Sequence, residues 1–249
     1  MKTKVLSIIC SSISVFSLFG FNFQQGKIEK ISAKVVNYNS RQKVIVIDAG
    51  HQKKANTKLE PIGPGAKQKK MKVAGGATGK YTKQKEYNLN LKVAKLLEKK
   101  LKAKGYKVIM IRKKNDVNIS NSKRAKIANE AKADAFIRIH ANADTSSKTN
   151  GVLTLCQTKK NKYNKKLYKK SYKLSKSILK NLAKRTGAKN LGVERTDTMS
   201  GINWAQVPVT IVEMGFLTNK KEDKLLATKT YQKKIVNGIV NGIDDFLNK

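Results

Sequence analysis

The sequence predicts one α/β domain, a mainly parallel twisted sheet with helices on both faces. Two observations carry this. Short β-branched runs alternate along the chain with segments of helical periodicity. In addition, runs such as Val44-Ile45-Val46-Ile47 are apolar at every position, the mark of a strand covered on both sides rather than one with a wet face. With 249 residues and 39% apolar content, the chain can build a core of its own. Cys156 is the only cysteine beyond the first two dozen residues, so neither an intramolecular disulfide nor a cysteine metal site is expected.

Residues 1–25 carry two lysines and then an uncharged apolar and serine stretch, which reads as a secretory signal. No small-x-small site follows it closely, so both a cleaved signal peptide and an uncleaved membrane anchor are carried forward. Residues 26–42 are polar and mixed, a linker. The domain is expected over 43–249. Its first strand covers 44–47 and ends in Asp48-Ala49-Gly50-His51. Residues 52–85 contain Pro61, Pro64, several glycines and many lysines without useful periodicity, and are expected to form a long functional loop. From Glu86, the residues Leu89, Val93, Leu96, Leu97 and Leu101 recur at helical spacing, and Gly105 marks the end of that helix. A strand over 106–112, a helix over 122–132 and strands over 135–140 and 151–156 follow. A basic helix over 162–185, a weak strand over 193–195, a short segment around Trp204, a strand over 208–213 and a helix over 230–247 complete the series.

The chemistry concentrates at strand ends. The chain has two histidines, and each closes an expected core strand: His51 in IDAGH and His140 in RIHAN. Ligands of open α/β sheets bind at the carboxyl ends of strands, so both imidazoles can face one crevice. Two histidines and one carboxylate are a common ligand set for catalytic zinc. Two glutamates can complete it. Glu86 opens a helix where the chain returns to the strand-end side, and Glu213 ends an apolar strand where a lone carboxylate needs a cation, a metal or a catalytic task. Asp48 reads as a residue that orients a ligand or the loop behind it.

DAGH at 48–51, KEYNLNLKVAKLLEKKL from Lys85, SNSKRAKIANEAKADAFIRIHANA from Ser120 and VPVTIVEMGFLTN from Val207 together resemble the zinc-dependent N-acetylmuramoyl-L-alanine amidases, bacterial peptidoglycan hydrolases. The resemblance spans residues 43–249. It implies that His51, Glu86 and His140 hold Zn2+ and that Glu213 is the catalytic acid/base. It leaves open whether Asn142 or Arg138 supports the oxyanion. Two departures stand out: Gln52-Lys53-Lys54 replaces the glycine-rich continuation usual after the first histidine, and the 52–85 segment is long and basic.

Lys and Arg number 54 against 16 Asp and Glu, a formal net charge of +38. Such a surface associates with polyanions. Aromatic residues make up only 6% and no nucleic-acid motif is present, so nucleic acid is not the expected partner. Peptidoglycan and anionic wall polymers are, with an exported, envelope-associated location. Lys67, Lys69, Lys70 and Lys72 in the loop, and six lysines between 165 and 176, are candidates for that contact. Two alternatives accompany the amidase reading. One is a zinc carboxypeptidase-like peptidase, which would need Arg112, Arg138 or Arg195 on the substrate's terminal carboxylate. The other is a non-catalytic polyanion- or cell-wall-binding protein. Oligomeric state has no signal in the sequence.

Overall fold

The computed structural model describes residues 41–248. The signal segment and nearly all of the linker expected before the domain lie outside the described residues. The elements run β1 (Val44–Ala49), β2 (Asn56–Pro61), β3 (Lys69–Val73), α1 (Glu86–Ala103), β4 (Lys107–Met110), α2 (Asn121–Glu130), β5 (Ala135–Asn142) and β6 (Val152–Cys156). They continue with α3 (Tyr168–Thr186), β7 (Asn190–Arg195), α4 (Ser200–Asn203), β8 (Val209–Phe216), α5 (Lys220–Leu226) and α6 (Lys229–Leu247). Six strands form one sheet in the order β4-β1-β5-β8-β6-β7, and β2 pairs with β3 in a separate hairpin. β4, β1, β5 and β8 run parallel to one another, whereas β6 runs antiparallel to β8.

Pleating divides the core. Ile45, Ile47, Ile137 and Ile139 point to one face, where they meet Leu89, Val93 and Leu97 of α1, Ile178 of α3 and Ile239 of α6. Val46, Phe136 and Ile211 point to the other and meet Ala125 and Ala128 of α2 and Ile202 of α4. Helices therefore cover both faces, as expected. Arg138, His140 and Glu213 lie in strand register with the second set, so they project on the α2/α4 side.

Four boundaries depart from the sequence expectations. Segment 52–85 is not an irregular loop: β2 and β3 pair within it, Leu59 opposite Met71. What holds the hairpin is tertiary. The buried Glu60 accepts from the backbone N–H and hydroxyl of Ser122, and Trp204 Nε1 donates to Pro61 O at 2.9 Å. α3 starts at Tyr168 rather than 162, because Asn161 Oδ1 accepts from the backbone N–H groups of Tyr163 and Asn164 and so favours a turn. α5 is an extra helix, capped by the Asn219 side chain. β5 and β8 continue past His140 and Glu213 through a bulge, to the pairing of Asn142 with Phe216.

Candidate active site

His51, Glu86 and His140 converge although 89 residues separate the two histidines. β1 delivers His51 one step past Gly50, in a left-handed conformation with φ of 61°. That conformation is uncommon for a residue with a Cβ and marks a position held by its surroundings. β5 delivers His140, whose ring lies so close over Gly50 that a Cβ there would fall 2.2 Å from the imidazole. Glycine at 50 is therefore a space requirement. Glu86, in the first turn of α1, reaches across from the other layer.

The three facing atoms form a nearly equilateral triangle. His51 Nε2 lies 3.2 Å from His140 Nδ1 and 3.2 Å from Glu86 Oε1, and His140 Nδ1 lies 3.2 Å from Glu86 Oε1. Ligands about 2.0–2.1 Å from a tetrahedral zinc sit about 3.3–3.4 Å apart, so these residues fit one face of such a shell. The supporting contacts agree. His51 Nδ1 lies 2.9 Å from Ala74 O, which holds its proton there and leaves Nε2 bare toward the cluster. Glu86 Oε2 accepts from Ala77 N at 2.8 Å, while Oε1 accepts from Asn90 Nδ2 and Ala141 N. Burial lowers the His140 pKa to about 4, although Glu86 opposes this, so the ring is neutral as a ligand must be. Burial alone would raise Glu86, but its hydrogen bonds with His140 and His51 hold it well below the usual carboxylate range.

Glu213 pairs in register with His140. Burial pushes its pKa up to about 8, with Glu86 and Glu194 adding and Arg138 opposing. Its Oε2 is sealed from solvent and has no hydrogen-bond partner among the described residues. A carboxyl group that exchanges its proton near neutrality is suited to general acid/base work.

Asp48 touches neither histidine. Fully buried, it receives Arg124 Nη1 at 2.6 Å and Arg138 Nε at 2.9 Å. Those two arginines outweigh burial and keep its carboxyl well below its ordinary pKa. Arg124 in turn donates to His51 O at 3.1 Å and to Gln52 Oε1 at 3.0 Å, so Asp48 orients the loop after β1 through an intermediary. Gln52 is likewise buried in this network and bonds Ile119 N, rather than standing at the rim with Lys53 and Lys54. Arg112 spends its guanidinium on Ala49 O, Gly50 O and Tyr87 O.

A cavity of about 410 Å³ opens beside the triad on the α2/α4 face. It is lined by Arg138, Ile211, Leu155, Met71 and Met199 among others. A second hollow shares His51, His140 and Glu213 with it and is lined also by Gly75, Gly76, Glu86 and Asn142. The sequence did not point to Met71, Thr198 or Met199. The five-residue β3 is too short for alternation to stand out, and Lys70 Nζ reaches Thr198 O, at 3.1 Å, only in the folded chain.

Two imidazoles and a carboxylate converging beside a second carboxyl group, at the carboxyl ends of parallel strands, give an α/β fold a site with the donor set of a metal centre. The chain belongs to the N-acetylmuramoyl-L-alanine amidase family, whose model matches residues 45–245. It is 32% identical over 167 residues to the N-acetylmuramoyl-L-alanine amidase LytC of Bacillus subtilis, a match covering 67% of this chain and 32% of LytC. The chain thus spans about a third of that relative's length. The catalytic domain of the amidase CwlV from Bacillus (Paenibacillus) polymyxa superposes with a TM-score of 0.65 at 29% identity, over 83% of this chain and 99% of that one. Ami1 from Mycobacterium smegmatis shares the fold with a TM-score of 0.76 at 23% identity, over 83% and 97%.

Proposed function

We propose that the protein hydrolyses the amide between the lactyl group of N-acetylmuramic acid and the L-alanine of the peptidoglycan stem peptide. The observation that supports this most directly is the 3.2 Å triangle of His51 Nε2, His140 Nδ1 and Glu86 Oε1 beside Glu213. His51, Glu86 and His140 would hold Zn2+. When bound, zinc polarises a carbonyl and lowers the pKa of its water to about 7. Glu213 accepts a proton from the attacking water and returns it to the departing alanine nitrogen, since an amide opens productively only when the amine leaves protonated. Burial, with Glu86 and Glu194, raises the Glu213 pKa above the ordinary carboxylate range and so favours the protonated form that hands a proton to the amine. Asp48 and Arg124 keep the His51 turn in place, and Ala74 O fixes the His51 tautomer.

In this reading residues 43–249 are the catalytic domain, residues 1–25 export it as a signal peptide or membrane anchor, and the basic surface retains it on anionic wall polymers. No helix among the described residues is long and apolar enough to cross a membrane. The test is digestion of purified peptidoglycan with and without chelator. New N-terminal alanine without new reducing sugar ends, lost with chelator and restored by zinc, is the expected result. Release of single amino acids from peptide C-termini would replace this reading with the carboxypeptidase-like one.

A further inference from the structure

The cavity beside the triad has an unequal charge balance. Asp48 supplies one negative charge to two buried arginines. Arg124 uses its remaining donors on Ile119 O, Ala49 O, His51 O and Gln52 Oε1. Arg138 is differently placed. Its side chain is only 4% exposed, Nε is held by Asp48 and Nη2 donates to Asn121 Oδ1 at 2.7 Å. Nη1 has no hydrogen-bond partner among the described residues, and Arg138 lines the cavity. α4 makes room for it: a Cβ on Gly201 would fall 2.0 Å from Nη1. A buried guanidinium fixed through two of its nitrogens, with the third beside Gly201 and without a partner, in a residue that lines a cavity, has the makings of a receptor for an oxyanion. Lys70 stands on the wall of the same cavity.

Spacing identifies the oxyanion. Arg138 lies two residues before His140 on β5 and on the same face, a displacement of about 7 Å along the strand. Two residues of extended peptide also span about 7 Å. In a stem peptide whose first residue joins the scissile amide, the second residue is a D-glutamate linked onward through its γ-carboxyl. It therefore carries a free α-carboxylate, or an α-amide where the wall is amidated. Beside Arg138 the cavity lining is apolar, with Ile211 paired to both Arg138 and Leu155, which suits the aliphatic part of such a peptide.

We propose that Arg138, assisted by Lys70, reads the α-carboxylate at the second position of the stem peptide and makes the enzyme selective for unamidated walls. This deepens the amidase reading and rests on it. The test uses two soluble substrates, N-acetylmuramoyl-L-alanyl-γ-D-glutamyl-L-lysine and the same compound amidated at the α-carboxyl of its glutamyl residue, so that the two differ at one group. With the zinc-loaded protein, kcat/KM for the acid should exceed that for the amide at least about tenfold, the worth of a charge-assisted hydrogen bond. Calorimetric binding to the Glu213→Gln protein should show the same preference without turnover. Arg138→Gln, which can still donate to Asp48, and the exposed-site variant Lys70→Gln should each shrink both ratios. Should Arg138→Gln fail to fold, Lys70→Gln decides alone. Equal use of the two substrates by the parent protein, or ratios unchanged by the variants, overturns the subsite while cleavage itself leaves the amidase reading intact. A fall in kcat on both substrates alike would assign Arg138 to the oxyanion and likewise overturn the proposal. Cleavage of neither substrate would remove the amidase reading, and the subsite with it.

Discussion

Each residue of the site has its own observable. Glu213→Gln should leave zinc binding intact and lower kcat by about 100-fold or more, the usual scale for a lost general acid/base. Metal analysis beside the rate separates the two effects. The same substitution should stabilise the metal-free protein at alkaline pH. The folded-state pKa of Glu213 is raised to about 8 from an ordinary 4.5, so ionisation opposes folding increasingly as pH rises through that window and not at all below it. With chelator present, the variant should match the parent near pH 4 and exceed it near pH 9 by about 1–3 kcal/mol, the cost of a buried group left unpaired. Thermal melts across pH measure this, and a difference independent of pH would contradict the assignment. His51→Ala should lose zinc altogether, because the remaining pair supplies only two of the three corners. Zinc stoichiometry after dialysis reads that directly.

Between elements, the buried Asp48 with Arg124 and Arg138 ties β1 to α2 and β5. Asp48→Asn leaves two guanidinium groups facing each other without a counter-charge and should cost about 3–5 kcal/mol by denaturant titration. The depressed pKa of Asp48 gives the acid limb its sign: its contribution is present above the ordinary carboxylate pKa and is lost as pH falls below it. α3 and α6 meet closely enough that a Cβ on Gly242 would fall 2.4 Å from Ile178 Cα. Gly242→Ala should therefore destabilise by about 1–3 kcal/mol despite its better helix propensity, since backbone rather than a flexible side chain blocks the methyl. These close approaches explain which elements could be read from sequence. α1 was legible because its leucines recur at helical spacing and Gly105, with φ of 85°, ends it. The central strands were legible because burial on both faces leaves them uniformly apolar. The β2–β3 hairpin was not, because Glu60, Pro61 and Lys70 are held by Ser122, Trp204 and Thr198, partners remote in sequence. His51, His140 and Glu213 could be found as polar residues at the ends of apolar runs. The methionines of the cavity lining could not, since Met71 and Met199 carry no local pattern.

Across the whole molecule, Lys70 of β3 lines the cavity, but the lysines of the α3 region do not and can be varied separately from it. The triad and Glu213 lie in a crevice on the α2/α4 face, whereas α3 packs on the opposite face through Leu174, Ile178 and Leu182. Lys166, Lys169, Lys173 and Lys176 of the α3 region are exposed. A chain of net charge +38 gathers on polyanions through many weak contacts, each screened over about 10 Å at 0.1 M salt. Replacing those four lysines by glutamine should weaken retention on walls bearing anionic polymers and flatten its salt dependence. Turnover of a small soluble muramoyl peptide should stay within about twofold, since none of the four lines the cavity. Stripping the anionic polymers from the wall should weaken retention of the parent protein in the same way. Retention that persists unchanged from low to high salt would place wall recognition in the crevice itself and leave the basic surface without a part in it.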